Sequence, residues 1–188
     1  VKKSSLPTRE ISAADQDQRS RCFTLSADQF YFRDHVIGGA AVLPGMAYLA
    51  LAKQVVPAAL CHCFSEIQFR SPLIVPAGHS EVSLEVGANL SEGRQRLEFV
   101  GSKGRIHASM GWVEDEGWEE VVDIDALKEG CEVERAASSV YGAFAGLGVE
   151  YGSCFRVIQR LWCSESVVVS ELKPDSDVNE GGLNGLVT

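Results

Sequence analysis

One stretch of the 188-residue chain joins a titratable side chain, a glycine turn and a helix start: Asp34-His35-Val36-Ile37-Gly38-Gly39-Ala40-Ala41-Val42-Leu43-Pro44-Gly45-Met46, followed by the apolar run Ala47 to Ala52. Every residue from Val36 to Ala52 is uncharged, so His35 borders an apolar surface. An imidazole in that setting is a candidate proton acceptor. Gly38 and Gly39 let backbone amides come close to a ligand. Pro44 fits the first turn of a helix that would bury Met46, Leu49 and Leu51. The pattern therefore predicts a helix N-terminus, with its unpaired amides, beside the imidazole.

Simpler readings compete. The uncharged run falls short of the roughly 20 apolar residues a bilayer needs, and Gly38, Gly39, Pro44 and Gly45 interrupt it. No membrane partner is expected. Val1 to Arg21 is polar and has no apolar core, unlike a signal peptide. From spacing alone a histidine satisfied inside a core is the favoured reading, and the resemblance described next reverses it.

His35, Gly39 and Pro44 together spell HxxxGxxxxP, closing on Leu43-Pro44-Gly45. This resembles the first signature of the dehydratase domains of modular polyketide synthases and animal-type fatty acid synthases. The surroundings agree: Phe23-Thr24-Leu25 opens a strand, Phe32-Arg33-Asp34 leads into the histidine, and Ser71-Pro72-Leu73-Ile74-Val75-Pro76-Ala77-Gly78 matches the family's "P-L-v-l-P-x-G" strand. Further on, Gly148-Val149-Glu150-Tyr151-Gly152-Ser153-Cys154-Phe155-Arg156 resembles "G-x-x-Y-G-P-x-F-R", and Leu161-Trp162 the following "L-W". The match covers nearly all of Phe23 to Lys173. Ser153 stands where the family usually has proline.

The resemblance implies an α+β double hotdog, two antiparallel sheets each wrapped on a helix, with the second hotdog incomplete in this chain. It implies elimination of water from a 3-hydroxyacyl thioester to give a 2-enoyl thioester. His35 would be the proton acceptor. Gly39, Val42, Leu43, Pro44, Gly45, Tyr48, Tyr151 and Gly152 would line the substrate or supply oxyanion donors. No metal or organic cofactor is expected in the domain; the substrate would ride on the phosphopantetheine of an acyl carrier protein. Expected partners are that carrier, neighbouring synthase domains, the missing C-terminal hotdog half from the same or another polypeptide, and a second copy in a homodimer.

The second signature of the family, HPxxxD, carries the catalytic acid. One register sets Gly182-Leu183-Asn184-Gly185 against "x-L-H-P", which places the aspartate just beyond Thr188; another sets Asn184 itself at the aspartate position. In neither does an aspartate of this chain fill the acid position. The Asn184 register favours a related reading, an enoyl double-bond isomerase working with one base. Fungal product-template domains share the fold, but Leu43-Pro44-Gly45 and Tyr151-Gly152 look more like a modular synthase. Outside enzymes, the chain would be a non-catalytic scaffold module.

Composition and patterning supply the elements that must position these residues. A 45% hydrophobic content at this length buries one sizeable core or two small ones, and a net charge of −9 argues against nucleic acid. An acidic carrier protein would then need a local basic patch, with Arg156 and Arg160 as candidates. The six cysteines, Cys22, Cys61, Cys63, Cys131, Cys154 and Cys163, lack framework spacing and read as reduced thiols of a cytoplasmic protein. Cys61-His62-Cys63 has no second ligand pair at zinc spacing, and His79 and His107 read as structural.

Residues 1–20 read as a linker leading into the domain, 21–113 as the N-terminal hotdog, 114–135 as an acidic linker, and 136–188 as the start of the C-terminal hotdog. Asp123 and Asp125 lack the glycine turn and closing glutamate of a calcium loop. Cys22 to Phe32 reads as strand and the central helix ends near Val56-Pro57. Alternation marks strands over Phe64–Phe69, Val82–Val86, Arg96–Val100 and Arg105–Trp112, with a hairpin turn at Ser91-Glu92-Gly93. Ala136–Leu147 reads as a helix facing inward through Val140, Phe144 and Leu147, and Gln159–Trp162 and Val167–Leu172 as strands.

Overall fold

A computed structural model describes residues 20–56, 63–91, 94–113 and 121–173. Asn184, Asp175, Asp177, Cys61, His62, Glu92 and Gly93 lie outside them.

The alternating segments build one five-stranded antiparallel sheet in the order β1-β5-β6-β7-β4: β1 Ser20–Ser26, β4 Cys63–Phe69, β5 Glu81–Ser91, β6 Arg94–Val100 and β7 Ile106–Val113. Period-two patterning turns one residue set inward: Phe23 and Leu25, Leu84 and Val86, Leu97 and Phe99, Ala108 and Met110 are all at most 2% exposed. The expected hairpin is present, with Ser91 paired to Arg94 across its turn.

The sheet wraps one helix, α2, Gly45–Val55, with Pro44 as N-cap. Its buried face is Ala47, Tyr48, Leu51 and Ala52, and the Tyr48 ring meets Phe99 edge-on at 5.2 Å. Here the reading of Met46 is corrected, for that side chain is 70% exposed. At about 100° per residue it stands about 140° around the helix from Leu51. Strand β1 also ends earlier than expected: Phe30–Arg33 form a one-turn helix, α1, that folds Tyr31 and Phe32 into the core.

A second, small sheet, β3-β2-β9, joins the halves of the molecule. Strand β2, His35–Ile37, pairs with β3, Ala40–Ala41, and on its other edge with β9, Val149–Tyr151. Gly38 and Gly39 form the two-residue turn between β2 and β3 at φ +57° and +78°, the left-handed region such a hairpin requires.

Beyond β7, the described part of the acidic stretch, from residue 121, contains a helix. Asp123 accepts hydrogen bonds from the Asp125 and Ala126 amides at 3.1 and 3.0 Å and so caps a helix, α3, Ile124–Glu129. Strand β8, Val133–Ala136, runs directly into helix α4, Ala137–Gly146. With β10, Ile158–Cys163, and β11, Val168–Leu172, β8 forms a three-stranded sheet ordered β11-β10-β8. The inward face of α4 is Val140, Tyr141 and Phe144, each half-buried, whereas Leu147 caps the helix and is 79% exposed.

Among the described residues no helix is long and apolar enough to cross a membrane, and no group of His, Cys, Asp and Glu is placed to hold a metal ion.

Candidate functional site

His35 opens β2 and is only 9% exposed. Two bonds to one residue fix it: its carbonyl accepts from the Val42 amide at 3.1 Å, and its Nδ1 lies 2.7 Å from the Val42 carbonyl. A carbonyl only accepts, so Nδ1 carries a hydrogen, and in the neutral tautomer Nε2 is the nitrogen with the lone pair. Tyr151 and Phe155 flank the ring, with centroids 5.6 and 5.8 Å away.

The neighbouring Asp34 holds this strand to the C-terminal half. Its carbonyl accepts the Gly152 amide at 2.8 Å, and its Oδ2 accepts the Cys154 amide at 3.1 Å. Arg33 Nε donates to Oδ1 at 2.7 Å. That guanidinium bond, against the opposing effect of burial, lowers the Asp34 pKa from 3.8 to about 2. The carboxylate is ionised at neutral pH and is no proton donor. A Cβ on Gly152 would fall 2.4 Å from Asp34 Cγ, so only glycine admits this contact.

An open cleft of about 420 Å³ lies against His35, lined by Ile37, Val42, Leu43, Gly45, Tyr48, Phe69, Arg70, Ser71 and Pro72. Its floor is apolar. Gly45 brings the N-terminus of α2 to the wall, where first-turn amides have no intrahelical acceptor; a Cβ there would sit 2.9 Å from the Phe69 ring. Tyr48 is buried, and burial, against a smaller opposing effect of the Leu73 backbone, raises its pKa, so it remains a neutral phenol.

The structure thus brings His35, Val42, Leu43, Gly45 and Tyr48 to one cleft. Pro44 caps the helix beside it, Gly39 turns the β2–β3 hairpin outside the cleft wall, and Tyr151 and Gly152 stand behind His35 as packing and anchor. Sequence reasoning missed Asp34 as the anchor and Phe69, Arg70 and Ser71 as cleft wall. The Arg33-Asp34 pair against the Tyr151-Gly152 element carried a signal for the first; nothing in the sequence pairs Phe69 with Gly45.

Arg156 and Arg160 do not form a free basic patch. Arg156 Nε donates to the Tyr151 carbonyl at 2.7 Å and its guanidinium lies over Tyr141, while Arg160 approaches Glu134 at 3.9 Å. Tyr141 in turn donates to the Phe155 carbonyl and accepts from the Ile158 amide, at 3.2 and 2.8 Å, tying α4 to the turn behind His35.

Comparison with known proteins places this geometry. A family model described as "Polyketide synthase dehydratase domain" matches residues 6–101. The polyketide synthase ThaG of Burkholderia thailandensis is 28% identical over 184 residues, which cover 86% of this chain and 3% of that protein. The dehydratase domain from the CurF module of the curacin polyketide synthase superposes with a TM-score of 0.76 at 17% identity, over 86% of this chain and 62% of that one. A dehydratase domain of a trans-AT polyketide synthase from Brevibacillus brevis gives 0.74 at 23% identity, over 86% and 61%. The chain therefore spans about three-fifths of these solved domains, and their fold is a double hotdog.

Proposed function

This chain belongs to the family of polyketide synthase dehydratase domains, and from that premise we propose that it supplies the base and the acyl cleft for loss of water from a 3-hydroxyacyl thioester carried by an acyl carrier protein. The observation that carries the reading is the His35 ring, clamped through Nδ1 on the Val42 carbonyl at 2.7 Å in the wall of an apolar cleft.

The chemistry follows from those positions. The C2 hydrogen of the thioester is acidified by the carbonyl, and Nε2 of the neutral imidazole takes it. The electron pair left on C2 spreads onto the thioester oxygen, where the first-turn amides of α2 at Gly45 stabilise it. The C2–C3 double bond forms as the C3–O bond breaks, and the departing hydroxyl takes a proton to leave as water. Ionised Asp34, bonded to Arg33 and Cys154, has no proton to give. The donor is a carboxylic acid supplied by the remainder of the second hotdog, from the same polypeptide or another. The apolar walls Val42, Leu43 and Tyr48 limit water at the reacting carbons. Neither step calls for a metal or an organic cofactor in the domain. The cytoplasm is the compartment we assign it, with the other synthase domains as neighbours.

The experiment is a mass-spectrometric turnover assay of the chain, alone and joined to the rest of the second hotdog, on a 3-hydroxyacyl carrier protein. Water is lost in the completed form, and His35→Ala lowers the rate by about 10²-fold or more. Turnover unaffected by His35→Ala refutes the assignment. Migration of an enoyl double bond without water loss replaces dehydration by isomerisation.

A further inference from the structure

A second cleft lies across segment 71–74 from the one beside His35. It measures about 620 Å³ and is lined by Pro72, Leu73, Ile74, Pro76, His79, Glu81, Val82, Ser83, Ser102, Lys103, Arg105 and His107. Segment 71–74 is the partition between the two: Ser71 and Pro72 face the His35 cleft, while Pro72, Leu73 and Ile74 face this one. Three consecutive Cα steps of about 3.8 Å bring the two walls within roughly 11 Å along the chain.

Both linings sum to one positive charge, Arg70 alone beside His35 and Lys103 with Arg105 against Glu81 here, but only the second cleft sets two cations on one turn. Lys103 and Arg105 stand on the tight turn between β6 and β7, and among the described residues neither forms an ion pair. Glu81 is the one carboxylate on the same walls, so the lining sums to a positive charge in a chain of net −9. The turn holds its cations at a local cost, since Lys103 takes φ +61°, a left-handed conformation unfavourable by about 1 kcal/mol for a residue with a Cβ. His107 is 6% exposed and is fixed like His35: its Nδ1 lies 3.1 Å from the Ser71 carbonyl and 3.2 Å from the Ser71 hydroxyl, with Nε2 packed towards Gly101. Gly101 makes room for that ring, for a Cβ there would fall 2.4 Å from Nε2. A buried, oriented imidazole, two unpaired cations and the exposed His79 converge on one concavity.

We propose that this second cleft binds the phosphate ester of the substrate's pantetheine arm, holding the arm over segment 71–74 so that the thioester reaches His35. The assignment rests on the reading of the first cleft as the acyl site. Phosphate suits the donor set: Lys103 and Arg105 supply charge, Ser102 a hydroxyl, and charge-assisted bonds to an anion are the strong ones. A pantetheine chain leaving such an anchor has polar amides for this cleft and an apolar acyl end for the other.

The test uses the completed domain and the same 3-hydroxyacyl group on three carriers: the carrier protein, free 4′-phosphopantetheine, and pantetheine lacking the phosphate. The variant is Lys103→Asn with Arg105→Gln, because asparagine tolerates the left-handed conformation at Lys103. The expected result is a KM raised about tenfold on both phosphate-bearing substrates, at unchanged kcat, with no change on pantetheine. An equal effect on all three, no effect on any, or an effect on the carrier protein alone overturns it. Titration of 4′-phosphopantetheine against the Ser102–Arg105 amide resonances of the His35→Ala protein decides the cleft without turnover. Shifts there that vanish in the double variant support the anchor, and their absence refutes it. Failure of the parent to dehydrate any substrate would instead strike the reading of the first cleft.

Discussion

Two halves of this chain start from similar materials and end differently. In residues 20–113 the inward residues of five strands close on α2, and Leu25, Leu51, Leu84, Val86, Leu97, Phe99 and Met110 are 0% exposed. In residues 121–173 three strands and α4 carry comparable apolar residues, yet none of them is buried: Val133, Leu147, Val168 and Leu172 are 44–79% exposed. The difference is one of coverage. A sheet stabilises a domain only when a second layer takes its apolar face out of water, and the five-stranded sheet has α2 where the three-stranded one has a single edge of α4. The solved domains of this fold contain further chain, since the 86% of this chain that superposes covers 61–62% of them. The His35 ring draws on both halves, clamped by the closed one and flanked by Tyr151 and Phe155 of the open one.

That contrast is most sharply broken by truncating one aromatic in each half. Phe99→Ala removes a fully buried ring that meets Tyr48 at 5.2 Å and should cost about 3–5 kcal/mol. Phe144→Ala removes a half-buried ring stacked edge-on to Tyr151 at 5.4 Å and should cost about 1 kcal/mol. Urea unfolding of both variants in the 188-residue chain checks the pair. Equal losses would mean that the second half is as well packed as the first.

The same contrast explains what was legible in the residues alone. The strands of the large sheet were readable because each alternates, as in Leu84-Glu85-Val86 and Leu97-Glu98-Phe99, and an alternating pattern is a statement about a buried face. The helix start was readable from Pro44, which was expected in the first turn and stands one residue before it. Which face α2 buries was not, because Met46, Leu49 and Leu51 are apolar all round the helix and only the sheet selects Tyr48 and Leu51. The strands His35–Ile37 and Val149–Tyr151 are three residues each, too short to show a period, and they pair across more than a hundred positions. Helix Ile124–Glu129 was hidden in an acidic run whose Asp123 was weighed as a metal ligand and serves as a cap. At the site, His35 stood out through its motif. Its clamp did not, because the partner is a backbone carbonyl and every residue has one. At the expected patch, Arg156 turns to the Tyr151 carbonyl and Arg160 approaches Glu134, contacts that only the fold brings near.

Gly152 tests the joint between the halves. Its φ of −77° is open to any residue, so the requirement for glycine is steric, and the three nearest atoms all belong to Asp34. Gly152→Ala drives a Cβ against Asp34 Cβ and Cγ, which are too close to the backbone to swing away, and should cost about 2 kcal/mol. The loss should appear as faster hydrogen exchange at the Gly152 and Cys154 amides, with the β6 and β7 amides unchanged. Uniform acceleration through the large sheet would show that the halves unfold together.

The smallest effect isolates the charge in that joint. The Asp34 carboxylate titrates at about 2 in the folded chain against an ordinary value of 3.8, chiefly because Arg33 donates to it. A depressed carboxylate pKa means that the unfolded chain binds the proton more readily, so the stabilisation is fully present above pH 3.8 and is lost as pH falls towards 2. Asp34→Asn keeps the side-chain shape and removes the titration. The stability difference between parent and variant should therefore be constant above about pH 5 and shrink steadily below pH 4. Denaturant titrations of the two proteins across that window measure it, with other carboxylates cancelling in the difference. A difference that stays flat down to pH 2 would mean that Asp34 holds the joint through its backbone carbonyl and the Gly152 amide, with the side chain contributing shape alone.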